Sequence, residues 1–347
     1  MPLSTIPSYS PDGIEIMTSG LPFDDIRALL ATPRPADEKA ADHVKRDFHR
    51  YAEAGGSLGR LEELAVWLAG WSGRPRPMIL RPLLAIFAGS HGVAARNVSA
   101  LPAGATAAMV ERCSSGAAPV CQLCSTYDLG LKVFDLALDL PTGDITVEPA
   151  LDEKATAATM AFGMEAIAGG TDLLCLSAFG VGSSTVAAAI CTALFGGRGA
   201  DWAGNAQAAD GSMRGRKAGM VDAALSVHSG HLADPLEVLR RLGGREFAAI
   251  AGAIVAARSE HIPVVLDGYA AVAAAAVLHA LNPDMIGHCL LAGLAGDEGQ
   301  AKAAARLGLR PLFDLDIGEG GVGAALAAGL LKSAVACHGS IAVSGVR

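Results

Sequence analysis

The glycine-rich segment 179–185 carries residue types that can bind an anion. It reads Phe-Gly-Val-Gly-Ser-Ser-Thr, follows an apolar run and precedes an Ala-rich helical run. Glycines allow the backbone to approach an anion, and amides at a helix start, together with hydroxyl groups, can hold a phosphate. The pattern is neither a P-loop nor a complete GxGxxG, so a tight turn between a strand and a helix explains it equally well. The candidate phosphate-binding residues are Gly180, Gly182, Ser183, Ser184 and Thr185.

A second glycine-rich segment, 316–323, places one carboxylate among four glycines. It also joins an apolar run to a helical run, and Glu319 lies where the backbone of Gly318, Gly320 and Gly321 can press against a ligand. A carboxylate in such a position can accept a proton from a substrate. The alternative is a solvated acid near a helix N-terminus, where negative charge is favoured. Glu319 is the candidate general base.

Other polar residues follow apolar runs as well. His91 lies between glycines at a predicted strand end, where it could do acid–base chemistry. More often such a histidine anchors its loop by a hydrogen bond, and we favour that role. Asp267 is similarly placed after a short apolar run. Asp144 and Glu148 could bind a metal only if they converge, which the sequence does not show.

Short apolar runs alternate with helical segments after Pro82, and this pattern predicts an α/β fold with a parallel sheet covered by helices on both faces (Rossmann-like). Ligands of such sheets bind in the loops that follow the strands. The predicted strands are Leu83–Ala88, Val133–Leu138, Leu173–Ser177, Val264–Leu266, Cys289–Ala292 and Leu312–Ile317. The predicted helices after the first strand are Ala103–Tyr127, Ala155–Ala168, Thr185–Leu194, Ala218–Ser226, Pro235–Leu242, Glu246–Arg258, Ala270–Ala280, Gly299–Leu307 and Ala324–His338.

The N-terminal part gives weaker signals. The first forty residues are rich in proline and polar residues, and we expect them to wrap loosely over the surface. The helices Asp37–Tyr51 and Leu58–Gly70 follow, and the Ser57 hydroxyl is expected to cap the second one. The uncharged stretch Leu173–Gly197 is interrupted by glycine and serine, which predicts strand, loop and helix rather than a membrane span.

Composition narrows the function classes. The chain has 347 residues, 51% of them hydrophobic and 18% charged, with a formal net charge of −8. We find no Lys/Arg-rich run, so nucleic acid is not an expected partner. The seven cysteines are scattered and the start carries no signal-peptide pattern, so we predict a cytoplasmic protein. Cys121 and Cys124 stand alone without the second pair that a metal site needs.

Several segments, in the right order, resemble the nicotinate-nucleotide:5,6-dimethylbenzimidazole phosphoribosyltransferase family of cobalamin lower-ligand assembly. The resemblance runs from about Leu21 to about His338. Because it rests on independent segments, it is more specific than either glycine-rich loop. The matching segments are Ser57–Glu62, Phe87–Val93, Gly130–Asp144, Ala161–Asp172, Pro263–Ala274 and Gly323–Gly329.

The resemblance implies phosphoribosyl transfer from nicotinate mononucleotide to 5,6-dimethylbenzimidazole or a related base, without metal or cofactor. It also implies Glu319 as the base and Ser99 and Lys217 as substrate-binding residues. The implied organisation is a large α/β domain, 81–330, with a small helical domain built from residues 1–80 and 331–347. The implied partner is a second copy in a homodimer, with no membrane association.

The chain departs from the family pattern in its ligand loops. The family's second acid falls on Ala178, its glutamine on Ala108 and a serine on Ala295, while its Gly-Thr-Gly falls on residues 206–208. An early Lys-Pro-Pro is also missing. Glu319 lies four residues before Gly323, where the family has three, so either the loop carries an insertion or Gly320 occupies the place of the base.

These departures leave two hypotheses. One is a working phosphoribosyltransferase. The other is a non-catalytic paralogue that binds a small ligand or a partner subunit, in a heteromer with a catalytic paralogue.

Overall fold

Five parallel strands form the central sheet of the molecule, in the order β2-β1-β3-β4-β5. The structure is a computed structural model that describes residues 22–204 and 211–344. The all-parallel sheet with helices on both faces confirms the predicted fold class. The strands are β1 (Pro82–Ala88), β2 (Gly130–Asp135), β3 (Leu173–Phe179), β4 (Val264–Leu266) and β5 (Cys289–Leu291).

Successive side chains of each strand point to opposite faces of the sheet. Helices cover both faces, so the side chains on each side are buried. Ala85 and Phe87 of β1 join one hydrophobic core, whereas Leu84 and Ile86 join the other. β2 lies at the sheet edge and is less buried than the central strands. Because all five strands are parallel, their carboxyl ends meet along one edge of the sheet, where the loops that follow them converge.

Helices cover the two faces, and both cores are rich in alanine. α6, α7, α11 and α12 supply the first core together with α1, whereas α2, α3, α5 and α14 supply the second. The helices are α1 (Pro22–Ala31), α2 (Glu38–Glu53), α3 (Arg60–Ser72), α4 (Ala105–Ser114), α5 (Pro119–Thr126), α6 (Glu153–Met164), α7 (Ser183–Phe195), α8 (Gly199–Trp202), α9 (Gly211–His228), α10 (Pro235–Leu242), α11 (Arg245–Ser259), α12 (Tyr269–Leu281), α13 (Glu298–Arg306) and α14 (Val322–Ser344).

Two predicted elements after the first strand are wrong. The helix predicted over Ala103–Tyr127 is broken into α4 and α5, because Pro119 lacks an N–H and starts a new helix instead of continuing the old one. The strand predicted over Leu312–Ile317 does not form, and only Pro311 bridges to β5. Asp316 has a positive φ of 50°, a conformation that extended strands do not adopt.

Two N-terminal predictions are also wrong. The loose wrapping predicted for the first forty residues is wrong for residues 22–31, which form α1 with three apolar side chains buried on one face: Phe23, Ile26 and Leu30. Residues 1–21 lie outside the described residues. Ser57 does not cap the next helix. That helix begins at Arg60, and Gly59 is its cap residue with no side-chain hydrogen bond. The Glu62 carboxylate instead accepts a hydrogen bond from the Leu58 amide at 2.6 Å.

The uncharged stretch Leu173–Gly197 forms β3, a loop and α7, as predicted. In α14, the segment Val322–Ala342 is long and apolar enough to cross a membrane by length and composition. Half of it is buried, and it packs against α2, α3 and the sheet. The contacts of α14 with α2 and α3 are consistent with a small helical domain built from both ends of the chain. The boundaries of that domain stay a prediction.

Glycines set the close crossing of α6 and α11. A Cβ added at Gly252 of α11 would lie 1.9 Å from the Met160 carbonyl oxygen. A Cβ at Gly163 of α6 would lie equally close, 1.9 Å, from the Ala249 carbonyl oxygen. Both obstacles are backbone atoms, so a larger residue requires the helices to move apart.

We predict that Gly252→Ala lowers the free energy of unfolding by about 1–3 kcal/mol, because overpacking displaces whole elements. The matched control is Gly219→Ala, since Gly219 lies exposed within α9 and has nothing within 4 Å of an added Cβ. That variant should be more stable than the parent by about 0.4–1 kcal/mol. Urea unfolding measures the free energy of unfolding of both variants. Equal effects at the two positions would contradict the close packing of α6 against α11.

Candidate active site

A cavity of about 300 Å³ opens at the carboxyl edge of the sheet. Loops after four adjacent strands, β1, β3, β4 and β5, form its walls, together with one turn of α9 and the segment before α14. This is the edge at which parallel α/β sheets bind ligands. The polar residues that line the cavity are Ser99, Ser177, Ser183, Ser184, Lys217, Tyr269, Asp267, Asp297 and Gln300.

Lys217 brings the one positive charge among the described lining residues. Its side chain is buried, and its Nζ donates a hydrogen bond to Ser184 Oγ at 2.9 Å. Burial lowers the pKa of this ammonium, while the carboxylate of Asp297 acts in the opposite direction. Among the described residues no carboxylate lies within ion-pair distance of this buried ammonium, which favours an anionic ligand in the cavity.

Asp267 ties the end of β4 to the start of α14. Its Oδ2 accepts a hydrogen bond from the Gly321 amide at 2.8 Å, and Ser177 Oγ lies 3.5 Å away. A Cβ at Gly323 would lie 2.5 Å from Asp267 Oδ1, so glycine makes room for this carboxylate. Burial raises the pKa of Asp267 to about 6, although the hydrogen bonds from Gly321 and Ala324 lower it.

Glu319 does not line the lysine cavity. It lines a neighbouring cleft of about 500 Å³, together with Met109, Arg112 and Cys113. The carboxylate is half-exposed, and Arg112 Nη2 lies 3.5 Å from its Oε1. The cleft and the cavity share walls, because four residues line both: Ala178, Gly180, Gly318 and Gly320.

The structure argues against a base at position 320. A Cβ at Gly320 would lie 3.0 Å from both the Ala178 carbonyl oxygen and the Phe179 ring. A side chain there would press against the end of β3, whereas Glu319 already projects into open space. Of the two alignments left open by the sequence, this geometry favours Glu319 as the carboxylate that faces a ligand.

The predicted phosphate loop is only partly directed at the cavity. Ser183 and Ser184 line it, but Gly182 serves as the cap residue of α7, with a φ of 90°. The Thr185 side chain is buried and its hydroxyl has no partner within the described structure. Gly321 packs against the sheet and donates to Asp267 rather than lining either space.

Sequence reasoning missed Asp297, Gln300 and Arg112. Asp297 caps α13 by accepting a hydrogen bond from the Gln300 amide at 3.0 Å, and burial raises its pKa. An acid three residues before a glutamine at a helix start was a visible capping signal. Arg112 lies in α4, where no sequence motif indicated a functional residue.

Other candidates have local partners. Asp144 pairs with Arg96 at 2.6 Å and accepts from the Thr146 hydroxyl. The described residues hold no group of three or more His, Cys, Asp or Glu side chains that could bind a metal. Ser99 lines the cavity, and its Oγ accepts from the Leu101 amide at 3.1 Å. Residues 206–208, where the family's Gly-Thr-Gly falls, lie outside the described residues.

An ammonium-lined cavity joined to a carboxylate-lined cleft suits a transferase that brings two small molecules together, and the chain matches such a class. A family model described as phosphoribosyltransferase matches residues 34–345. Relatives named nicotinate-nucleotide–dimethylbenzimidazole phosphoribosyltransferase include those of Rhizobium rhizogenes and Sinorhizobium medicae. Each is 54% identical over 325 residues, which is 93% of this chain and 96% of the relative.

Solved structures agree. The crystal structure of the phosphoribosyltransferase of that name from Thermus thermophilus is 31% identical and superposes with a TM-score of 0.77. The match covers 86% of this chain and 96% of the Thermus chain. The chain belongs to the nicotinate-nucleotide–dimethylbenzimidazole phosphoribosyltransferase family, which confirms the resemblance.

The raised pKa of Asp267 predicts a pH-dependent difference in stability. A carboxyl with a folded-state pKa near 6 and an ordinary value of 3.8 stabilises the folded state below about pH 4, and this contribution disappears as the pH rises through 6. Asp267→Asn does not titrate. The parent should therefore lose stability relative to this variant between pH 4 and 6, by up to about 3 kcal/mol.

Urea unfolding at several pH values measures the difference. Asp314→Asn, at an exposed acid of the neighbouring segment, controls for the removal of one charge. A parent-minus-variant difference for Asp267→Asn that stays constant from pH 4 to 7 would rule out the burial described here.

Proposed function

We propose that this protein transfers the phosphoribosyl group of nicotinate mononucleotide to 5,6-dimethylbenzimidazole or a related base. The products are α-ribazole 5′-phosphate and nicotinate, in cobalamin biosynthesis. The relatives named for this activity support it. The structural observation that carries it is the pair of joined spaces, one with a buried ammonium and one with an available carboxylate.

Lys217 supplies the charge that the donor requires. The phosphate of nicotinate mononucleotide binds near its Nζ and the Ser184 hydroxyl, and the start of α7 lies beside it. The positive end of a helix adds to the attraction for an anion. Asp267 and Asp297 line the same cavity and suit the hydroxyl groups of the ribose, because carboxylates accept hydrogen bonds.

The acceptor base occupies the neighbouring cleft, between α4 and the segment around Glu319. Its ring nitrogen attacks C1′ of the ribose on the face opposite nicotinate. The C1′–N bond to nicotinate breaks and its electron pair neutralises the pyridinium, so the leaving group departs without being protonated. The proton on the other ring nitrogen passes to the Glu319 carboxylate. Alignment across the shared wall supplies much of the rate.

Arg112 holds Glu319 in the absence of substrate. Both side chains are about half-exposed, so the pair contributes little, within about 1 kcal/mol. The ring N–H of an incoming base can take the place of the guanidinium at low cost. The carboxylate thus stays oriented towards the cleft until the base arrives.

A non-catalytic role finds no support in this geometry, since the candidate base and the candidate phosphate ligand both face accessible space. Ala178 lines both spaces where the family pattern has an acid, and it leaves room at the shared wall. The homodimer and the cytoplasmic location stay predictions.

Glu319→Gln should lower kcat by about 100-fold or more, because an amide cannot accept the proton. Product formation from nicotinate mononucleotide and dimethylbenzimidazole measures it. Asp314→Asn removes an exposed acid from the neighbouring segment and should leave kcat within twofold of the parent. An active parent whose rate survives Glu319→Gln would mean that another group takes the proton.

Lys217→Met should raise KM for nicotinate mononucleotide by about 10- to 100-fold, because a charged hydrogen bond to phosphate is lost. KM for dimethylbenzimidazole should change far less. Lys302→Met is the control, since Lys302 is exposed and lies over the Trp202 ring, 4.5 Å from its centre. Similar KM values for the donor in both variants would place the phosphate elsewhere.

A further inference from the structure

A buried histidine–glutamate couple lies directly behind the Gly180 loop. His91 Nε2 lies 2.5 Å from Glu246 Oε1, and the two side chains are 1% and 0% exposed. His91 follows β1, whereas Glu246 belongs to the first turn of α11. Neither residue lines the cavity or the cleft, so neither touches a substrate.

Three glycines from three loops close around this couple. A Cβ at Gly180 would lie 2.9 Å from Glu246 Oε1 and 3.2 Å from His91 Nε2. A Cβ at Gly89 would lie 2.1 Å from Glu246 Oε2, and one at Gly244 would lie 2.5 Å from His91 Cε1. The backbone of the Gly180 loop therefore rests on the hydrogen-bonded atoms themselves.

The two side chains depend on each other. His91 Nδ1 and Glu246 Oε2 have no hydrogen-bond partner within the described structure, so the contact between Nε2 and Oε1 is the one that satisfies each side chain. A buried polar pair of this kind is not needed for stability, because apolar residues of similar volume often pack at least as well. Its directional bond instead fixes the relative position of the elements that it joins.

Those elements shape the donor cavity. Gly180 lines it, and Ser183 and Ser184 begin α7 three and four residues later. The loop is otherwise held by the Gly89 amide, which donates to the Phe179 carbonyl at 2.9 Å, and by the Thr106 hydroxyl, which accepts from the Val181 amide at 3.1 Å.

We propose that His91 and Glu246 are positioning residues that hold the Gly180 loop in place for the donor, and so set the affinity for nicotinate mononucleotide. This inference rests on the proposed function. Disturbing the couple shifts the Gly180–Ser184 backbone, which weakens the contacts with the donor phosphate and ribose. The acceptor cleft is affected less, because Phe179 and Gly180 form only one of its walls, whereas Met109, Arg112 and Glu319 lie on other elements.

The test is the steady-state kinetics of Glu246→Gln and His91→Asn, with each substrate varied in turn. Both variants should raise KM for nicotinate mononucleotide about tenfold or more, in line with the loss of one charged contact. KM for dimethylbenzimidazole and kcat should stay within about threefold. This split separates positioning of the donor loop from a general loss of folded protein.

The chain offers a matched control in a second buried couple. His338 Nε2 lies 3.0 Å from Asp47 Oδ2, with the side chains 2% and 5% exposed, between α14 and α2. His338→Asn should lower Tm as much as His91→Asn but leave both KM values unchanged. If Glu246→Gln lowers Tm in the same way and leaves KM for the donor within twofold, the couple is structural and the inference is wrong.

A further variant covers the case in which Glu246→Gln does not fold. Gly244→Ala keeps both polar side chains but pushes on His91 Cε1. Gly244 has an extended φ of −167°, so alanine brings no backbone strain. It should raise KM for the donor in the same direction, and an unchanged KM would again overturn the inference.

Calorimetry with nicotinate mononucleotide separates this inference from the proposed function. A parent that binds the mononucleotide without forming product contradicts the proposed function, while weaker binding by Glu246→Gln still supports the inference. A parent that binds no mononucleotide overturns both.

Discussion

The carboxylate of Asp267 is the interaction on which the site depends. It stands at the end of β4 and accepts hydrogen bonds at the start of α14, and so ties the segment 318–321 to the sheet edge. That segment carries Glu319 and forms the wall shared by the cavity and the cleft. This contact fixes the position of the wall between the cavity and the cleft, and thereby the relative orientation of the donor and the acceptor.

The cost of this arrangement is the burial of Asp267 and Lys217, two ionisable groups that form no ion pair with the described residues. Burial raises the pKa of Asp267 and lowers that of Lys217, because it disfavours the charged form of each group relative to the same group in water. A bound phosphate relieves the second of these penalties, since it gives the ammonium a counter-charge. The interaction of the donor phosphate with this buried ammonium therefore contributes to donor affinity.

The sequence predicted the parallel sheet because β1, β3 and β4 are apolar on both faces, and the family segments indicated the activity. It placed the loops with Gly180 and Glu319 after predicted strands, and both lie at the carboxyl edge of the sheet although the strand before Glu319 does not form. It could not show that Lys217 and Glu319 face different spaces, because side-chain direction depends on local backbone angles. Nor could it show that Asp297 approaches Lys217 from a distant part of the chain. The failed strand before Asp316 reflects a positive φ that no apolar pattern encodes.

In the proposed mechanism, the phosphate of the donor and the acceptor base occupy two joined spaces, one at Lys217 and one at Glu319. A crystal structure with bound α-ribazole 5′-phosphate tests it most directly. We expect the phosphate within hydrogen-bond distance of Lys217 Nζ and the benzimidazole ring in the cleft, with a ring nitrogen within reach of the Glu319 carboxylate. A ring in the lysine cavity with Glu319 still paired to Arg112, or a phosphate in the cleft, would contradict it.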